Sequence, residues 1–273
     1  MTAKGHKRRN SSFFWKPFRK IPKSILWFIL IAVIIFYCYS FYANFVMPYS
    51  YRWKALYGEV KYPSGGLRGI DISHYQKEIN WQMLQNGKIQ DSPLTFVFIK
   101  ATEGKDEFDE FFNFNFKNAR KYNITRGAYH FFTTQSSGYD QAKFFCEKVK
   151  LQEGDLPPVL DIEIDMDALY DKDQTKQEIL NWLSVVENQY QVKPIIYASY
   201  RFKQRYLSDP VFNQYPYWIA HYYVDSLEYD GSWAFWQHTD VGRVDGINGY
   251  VDIDMFNGTM DKLKQLTVQG KNK

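Results

Sequence analysis

The sequence predicts an α/β protein in which eight strands close into a barrel, preceded by a single N-terminal transmembrane helix. Two observations predict the barrel: apolar strand segments alternate with helical segments between residues 67 and 199, and three further strands follow without room for full helices. A third observation, an uncharged apolar run near the N-terminus, predicts the transmembrane helix. At 273 residues with 45% apolar content, the chain can bury a core of this size as one domain.

The predicted strands are short apolar runs, and the predicted helices have apolar residues on one face. Five of the strands are followed by helical segments of varying length, an order typical of a parallel sheet. The last three strands are joined by loops rich in Gly and Asp, so we expect the sheet to close on itself. The predicted strands are 67–73, 95–101, 126–132, the strand that contains Asp161, 195–199, 217–221, 233–238 and 251–256; the predicted helices include 80–88, 108–122, 138–149 and 175–191.

The N-terminal run from residue 25 to residue 46 has 22 residues and no charge. As a helix it would span about 33 Å, enough for the hydrocarbon core of a bilayer. Eight of the 34 Lys and Arg residues lie within residues 1–23, so the positive-inside rule predicts that this segment is cytoplasmic and that the chain after about residue 47 is translocated. We expect an uncleaved signal anchor, because a cleaved signal peptide has a shorter apolar region. The predicted organisation is a basic cytoplasmic tail (1–23), an anchor (24–47), a stalk (48–66), an extracytoplasmic barrel domain (67–265) and a polar tail (266–273).

The net charge of +4 comes from the N-terminal segment alone. Beyond residue 23 the chain has 26 basic and 30 acidic residues, a balance that argues against a nucleic-acid partner. Cys38 lies in the apolar run and Cys146 in a predicted helix, so no disulfide is expected. The histidines lack the close spacing of a zinc site, and we expect neither a metal nor another cofactor. The expected partners are a membrane and a glycan, and we expect a monomer.

The candidate catalytic residues lie on the strand around Asp161. Asp161, Glu163 and Asp165 alternate there with apolar residues, so three carboxyl groups share one face of the strand. At 3.3 Å per residue the Cα atoms of Asp161 and Glu163 are about 6.6 Å apart, so both carboxyl groups can reach one substrate bond. Like charges this close disfavour joint ionisation, and one group is expected to stay protonated, as a general acid must. A strand with a solvated acidic face would show the same pattern, so the pair needs support from the rest of the chain.

That support comes from polar and aromatic residues at the ends of the other predicted strands. In a parallel barrel, residues at the carboxyl ends of the strands point into one site. Aromatic residues make up 19% of the chain, and exposed Tyr and Trp provide flat surfaces on which sugar rings stack. The sequence therefore favours a carbohydrate-cleaving site. Its candidate residues are Asp71, Glu103, Tyr129, His130, Asp161, Glu163, Tyr197, Trp218, Trp236, Gln237, Asp252 and Asp254.

The segment Gly69-Ile70-Asp71-Ile72-Ser73-His74-Tyr75-Gln76 resembles the opening G-x-D-x-S-x-x-Q of the Chalaropsis-type lysozymes, glycoside hydrolase family 25. Further blocks resemble this family in the same order, so the resemblance covers about residues 67–260 and leaves out the anchor. These blocks are Phe98-Ile99-Lys100-Ala101-Thr102-Glu103-Gly104, Gly127-Ala128-Tyr129-His130-Phe131, Asp161-Ile162-Glu163, Trp218-Ile219-Ala220, Trp236-Gln237 and Val251-Asp252-Ile253-Asp254-Met255-Phe256.

The resemblance implies a modified TIM-like barrel, (βα)5β3, that cleaves the β-1,4 bond between N-acetylmuramic acid and N-acetylglucosamine in peptidoglycan. It further implies that Glu163 is the general acid/base and that Asp161 orients and stabilises the N-acetyl group of the substrate. Asp71 and Asp252 would complete an acidic floor. We predict substrate contacts from Gln76, Tyr129, Tyr197, Trp218, Trp236, Gln237 and Asp254.

Several alternatives stay open at this point. The resemblance favours attack by the substrate's own acetamide oxygen, but the strand spacing alone does not separate this route from an inverting one. An anchored, non-catalytic glycan-binding module is a second function, against which the intact pair of Asp161 and Glu163 argues. A hydrolase of another N-acetylhexosamine polymer, such as chitin, would have the same barrel and carboxyl groups, and only its products would differ.

Overall fold

The computed structural model describes residues 22–47, 50, 60–165, 171–227, 229 and 231–270. The chain divides into two compact units, Met1–Ser50 and Tyr51–Lys273. Most of the predicted basic tail and most of the predicted stalk lie outside the described residues.

The N-terminal unit contains helix α1 (Lys23–Phe41), which continues as a π-helical turn (Tyr42–Val46). None of the residues of α1 is buried within the protein, and most of its side chains are large and apolar. The helix is long and apolar enough to cross a membrane, so it is a candidate membrane span or signal anchor. Its direction across a membrane stays a prediction.

The second unit contains a closed barrel of eight strands, which confirms the predicted architecture. The first seven barrel strands run parallel to one another, and the eighth, β10, closes the barrel by pairing antiparallel with both β9 and β1. Two short strands, β2 and β4, pair only with β3. The barrel strands are β1 (Leu67–Ile72), β3 (Ser92–Glu103), β5 (Thr125–Phe131), β6 (Val159–Ile162), β7 (Ile195–Ser199), β8 (Tyr217–Ala220), β9 (Phe235–Gly242) and β10 (Val251–Phe256); the short strands are β2 (Lys88–Ile89) and β4 (Glu107–Phe108).

Helical segments follow the first five barrel strands. The first is short: a 3-10 turn (His74–Gln76) precedes α2 (Trp81–Leu84), so the predicted helix 80–88 is wrong in its second half, where Gly87 leads the chain into β2. The exact (βα)5β3 pattern stays a prediction. The remaining segments are α3 (Phe112–Lys121), α4 (Gly138–Lys148), α5 (Lys172–Tyr190), α6 (Tyr200–Tyr206), a 3-10 turn (Pro210–Gln214) and α7 (Met260–Leu266).

The lower part of the barrel interior is filled by aromatic rings. Phe98 stacks on Trp218 with ring centroids 4.5 Å apart, and Phe235 packs against Phe98 at 5.0 Å. These rings need glycine on the neighbouring strands, because a Cβ atom at Gly69 would lie 2.2 Å from the ring of Phe96. The glycine that opens the first motif therefore makes room for the aromatic layer. Polar residues one pleat above this layer are held at the carboxyl ends of the strands.

Candidate active site

A cavity of about 420 Å³ opens at the carboxyl ends of the barrel strands. Its volume lies in the range of small-molecule and glycan pockets. Residues from all eight barrel strands, or from the loops that follow them, form its wall. They are Asp71, Ser73, Tyr75, Gln76, Lys100, Glu103, Tyr129, Phe131, Asp161, Glu163, Tyr197, Trp218, Tyr222, Gln237 and Asp252.

Asp161 and Glu163 have different surroundings although they are two residues apart. Asp161 lies in β6 and is 8% exposed, whereas Glu163 follows the end of the strand and is exposed. Burial, and then the negative charge of Glu163, raise the pKa of Asp161 well above its usual value. The sequence argument predicted that this pair keeps a proton, and the raised pKa of Asp161 agrees with one proton shared between the two carboxyl groups. Within the described part of the chain, Asp161 Oδ1 is buried and has no hydrogen-bond partner.

A chain of hydrogen bonds connects Glu163 to the floor of the cavity. The Tyr197 hydroxyl lies 3.2 Å from Glu163 Oε1 and 2.6 Å from Gln237 Oε1. The Tyr222 hydroxyl donates to the same oxygen of Gln237 at 2.6 Å, and Gln237 Nε2 donates to Asp71 Oδ2 at 2.6 Å. Gln237 is 3% exposed, so its amide orientation is fixed by three polar neighbours rather than by water.

The floor beneath this chain holds a buried pair of carboxyl groups. Burial, and then the charge of Asp254, raise the pKa of Asp71 well above its usual value. Burial and the charge of Asp252 do the same for the pKa of Asp254, although the indole N–H of Trp218 donates to Asp254 Oδ1 at 2.8 Å. The charge of Asp254 disfavours ionisation of Asp71, so these buried groups do not readily ionise together. The acidic floor therefore carries less negative charge than its number of carboxyl groups suggests.

Three tyrosines complete the wall. Burial raises the pKa values of Tyr129, Tyr197 and Tyr222, and nearby carboxylates raise those of Tyr129 and Tyr222 further. In Tyr197 the largest further cause is Tyr222 itself. All three hydroxyls therefore stay neutral and can donate hydrogen bonds to a substrate or to a neighbouring carboxylate.

The structure brings most of the predicted site residues to one cavity. His130, Trp236 and Asp254 are the exceptions. His130 is fully buried outside the cavity lining, and its ring bonds to the Thr102 hydroxyl at 2.8 Å and to Gln141 Oε1 at 3.1 Å. Neighbouring residues of a strand point to opposite faces, so Gln237 faces the cavity while Trp236 packs outside the barrel and donates its indole N–H to the carbonyl oxygen of His221 at 2.8 Å. Asp254 is fully buried below the cavity and acts on it through Asp71 and Trp218. The predicted residues that line the cavity are Asp71, Gln76, Glu103, Tyr129, Asp161, Glu163, Tyr197, Trp218, Gln237 and Asp252.

Gln76 lines the cavity, but its polar atoms contact the backbone. Its Oε1 accepts from the Ser73 backbone N–H at 2.9 Å, and its Nε2 lies 3.4 Å from the carbonyl oxygen of Tyr250. The Ser73 hydroxyl accepts in return from the backbone N–H of Tyr75 at 3.3 Å, so this pair caps the 3-10 turn. The spacing S-x-x-Q is a capping signal that could have predicted this role.

Sequence reasoning did not assign Ser73, Tyr75, Lys100, Phe131 or Tyr222 to the site. Lys100 pairs with Glu103 at 2.6 Å, and its ammonium lies 5.0 Å from the ring centroid of Phe131. Lys100 lies within the predicted strand 95–101, before its carboxyl end, and Tyr222 lies one residue beyond the predicted strand 217–221. Neither residue was therefore at a strand end that the sequence argument assigned to the site. Within the described residues no cluster of three or more His, Cys, Asp or Glu side chains is arranged to hold a metal.

An eight-stranded barrel with paired carboxyl groups in an open cavity at the strand ends is an arrangement of glycoside hydrolases. The family model described as Glycosyl hydrolases family 25 matches residues 70–247. The chain belongs to this family, which confirms the resemblance read from its motifs.

Known relatives agree with this assignment. Lysozyme M1 of Streptomyces globisporus is 32% identical over 216 residues, which are 74% of this chain and 72% of that protein. The protein YegX of Escherichia coli K12 is 42% identical over 199 residues, 72% of each chain. The structure of a family 25 glycosyl hydrolase from Bacillus anthracis has a TM-score of 0.69 at 30% identity and covers 76% of this chain and 97% of its own.

Proposed function

We propose that the protein is a muramidase (EC 3.2.1.17) that hydrolyses the β-1,4 bond between N-acetylmuramic acid and N-acetylglucosamine in peptidoglycan. The observation that carries this proposal is the pairing, in one cavity, of the exposed carboxyl group of Glu163 with the buried Asp161, whose Oδ1 has no partner among the described residues. Membership of family 25 and the similarity to Lysozyme M1 support the same activity.

In this proposal Glu163 protonates the glycosidic oxygen as the bond to the anomeric carbon breaks. The acetamide oxygen of the muramic acid attacks that carbon from the opposite face, and Asp161 accepts a hydrogen bond from the acetamide N–H. The attack draws electrons from the amide nitrogen, so a neighbouring carboxyl group of raised pKa is a good proton acceptor in that step. Water then opens the cyclic intermediate, and Glu163 takes its proton back.

Asp71 and Asp252 belong to the acidic floor, and the negative charge that this floor retains favours the positive charge that develops on the sugar ring. Tyr129, Tyr197, Trp218 and Gln237 lie where they can contact the sugar. Tyr197 has a second role, because its hydroxyl reaches Glu163 Oε1 and orients the acid.

The test uses the full-length chain in detergent with purified peptidoglycan, and it measures new reducing ends and identifies the sugar that carries them. The parent should release muramic-acid ends, and Glu163→Gln should lose nearly all activity while it stays folded. Glu147→Gln, which changes an exposed carboxylate far from the cavity, is the matched control and should keep full activity. Release of N-acetylglucosamine ends, or cleavage of chitin alone, would assign a different hydrolase. Binding without cleavage would assign a glycan-binding module.

We further propose that α1 is an uncleaved signal anchor, with residues 1–23 in the cytoplasm and the barrel domain, about residues 67–265, outside it. The length and apolar surface of the helix support this arrangement, as does a glycan substrate that lies outside the cytoplasm. Protease added to intact spheroplasts should digest the barrel domain and spare a tag at the N-terminus. Protection of the barrel would contradict the proposed topology.

A further inference from the structure

Tyr75 is an exposed aromatic residue in the wall of the active-site cavity. Its side chain is 78% exposed, whereas Tyr129, Tyr197 and Trp218 in the same wall are buried. A ring of this size is normally packed against other side chains, since burying its flat apolar faces is favourable. Tyr75 leaves much of this surface to solvent at the wall of the cavity.

The Tyr75 ring is held in position by its contact with His74, which is held in turn by Asp109. The His74 ring lies against the Tyr75 ring with centroids 4.2 Å apart. His74 is held in turn by Asp109, whose Oδ2 accepts from the His74 backbone N–H at 2.8 Å and lies 3.3 Å from His74 Nδ1. Asp109 is itself buried and accepts from the Phe111 backbone N–H at 2.9 Å. A ring supported in this way loses little conformational freedom when a ligand stacks on it.

A second, smaller pocket continues from the cavity beside this ring. It has a volume of about 250 Å³, and it shares Lys100 and Glu103 with the main cavity. The charge of Lys100 is already balanced by Glu103, and the other charged groups there are mostly carboxylates. Such a surface accepts hydrogen bonds from sugar hydroxyl and amide groups, and it repels anions. The residues that line it are His74, Lys100, Glu103, Glu107, Phe108, Asp109 and Glu110.

We infer that Tyr75 is the stacking platform for an N-acetylglucosamine residue, the sugar on the non-reducing side of the muramic acid at the cleaved bond. This inference rests on the proposed muramidase activity. The strand alternates its two sugars, so the next sugar outward from the bond is N-acetylglucosamine on the non-reducing side and muramic acid on the other. Muramic acid carries a carboxylate or a peptide stem, which the acidic pocket disfavours, whereas N-acetylglucosamine is uncharged.

The test compares two oligosaccharides that have the same cleavable bond. The tetrasaccharide GlcNAc-MurNAc-GlcNAc-MurNAc has the outer sugar, and the trisaccharide MurNAc-GlcNAc-MurNAc lacks it. With the full-length chain, Tyr75→Ala should raise KM for the tetrasaccharide about 2- to 10-fold, the range expected for the loss of one aromatic contact, and leave the trisaccharide unchanged. Tyr75→Trp and Tyr75→Phe keep a ring and should keep the parent KM.

Tyr139→Ala is the matched control, because Tyr139 is also exposed but lies on α4 outside the cavity lining. If Tyr75→Ala raises KM equally for both oligosaccharides, or for neither, the platform is overturned. The muramidase assignment stays intact in that case as long as the parent cleaves both oligosaccharides. A parent that cleaves neither would overturn both. A KM that rises only for the tetrasaccharide, and is restored by Tyr75→Trp, supports the platform.

Discussion

The hydroxyl group of Tyr197 lies 3.2 Å from Glu163 Oε1, the carboxylate oxygen that we propose protonates the leaving sugar. The same hydroxyl lies 2.6 Å from Gln237 Oε1, and a single phenolic proton can be donated to only one of them. When it goes to Gln237, the Tyr197 oxygen is free to accept a hydrogen bond from Glu163 in its acid form. When Glu163 is ionised, Tyr197 can donate to it instead. Tyr197 can therefore contact Glu163 in both protonation states.

We expect Tyr197→Phe to lower kcat about 10- to 100-fold, because a hydrogen bond to a charged group contributes about 1.5–3 kcal/mol. KM should change less, since the missing group orients the acid more than it binds the sugar. Steady-state kinetics on peptidoglycan fragments measures both constants. Tyr190→Phe is the control: it removes a hydroxyl that donates to the Val149 carbonyl oxygen at 2.9 Å, outside the cavity, and should keep the parent kcat. An unchanged kcat in Tyr197→Phe would refute its orienting role.

Gln237 connects two tyrosine hydroxyls to Asp71, so its replacement should affect folding as well as activity. Gln237→Leu leaves Tyr197, Tyr222 and Asp71 without this partner in a buried site. Each unsatisfied buried group costs about 1–3 kcal/mol, so we expect the free energy of unfolding to fall by at least about 2 kcal/mol. Urea unfolding followed by tryptophan fluorescence measures this change. A loss of activity with unchanged stability would show instead that Gln237 only contacts the substrate.

The buried carboxyl groups predict that stability falls as the pH rises. Asp71, Asp161 and Asp254 all have pKa values raised well above the usual 3.8, so the folded state binds more protons than the unfolded state once the pH exceeds about 4. Their contribution is fully present below that pH and is lost as the pH rises through their folded pKa values. We therefore expect the free energy of unfolding to decrease between pH 4 and pH 8.

The variant Asp71→Asn isolates this effect, because the amide does not ionise. It should be more stable than the parent at pH 8, and the difference should shrink towards pH 4. Urea unfolding at several pH values measures the slope, with Asp91→Asn, an exposed position, as the control. A parent and an Asp71→Asn variant with parallel pH dependence would show that Asp71 is ionised in the folded protein.

The sequence predicted the barrel well because two patterns in it are local. Period-two alternation indicates which residues of a strand share a face, and the alternation of helices and strands indicates a parallel sheet. The same period-two alternation already separates Gln237 from Trp236, since neighbours on one strand cannot both face the cavity, but the motif was read as a unit. Burial by distant strands leaves no local signal, and this is why Asp254 was expected at the surface of the site. Tyr75 was missed for the opposite reason: its exposure depends on how the turn after β1 projects, and no periodic pattern covers a turn of three residues.

The last prediction concerns a buried ion pair on the opposite side of the barrel from the cavity. Arg126 donates from Nε to Asp155 Oδ1 at 2.7 Å and from Nη2 to Oδ2 at 3.0 Å, and both side chains are buried. Asp155 also accepts from the Gln152 backbone N–H at 2.8 Å. Loss of one partner leaves the other charge unpaired in the interior, which costs about 3–5 kcal/mol.

We therefore expect Asp155→Ala to lower Tm by about 6–20 °C for a domain of this size, whereas kcat per folded molecule stays at the parent value because Asp155 does not line the cavity. Differential scanning calorimetry measures the shift, and active-site titration normalises the rates. Glu147→Gln removes an exposed ion pair to Lys148 and should change Tm by less than about 2 °C, since surface pairs contribute about 0–1 kcal/mol. Equal Tm changes in the two variants would show that the buried pair of Arg126 and Asp155 contributes no more to stability than an exposed ion pair.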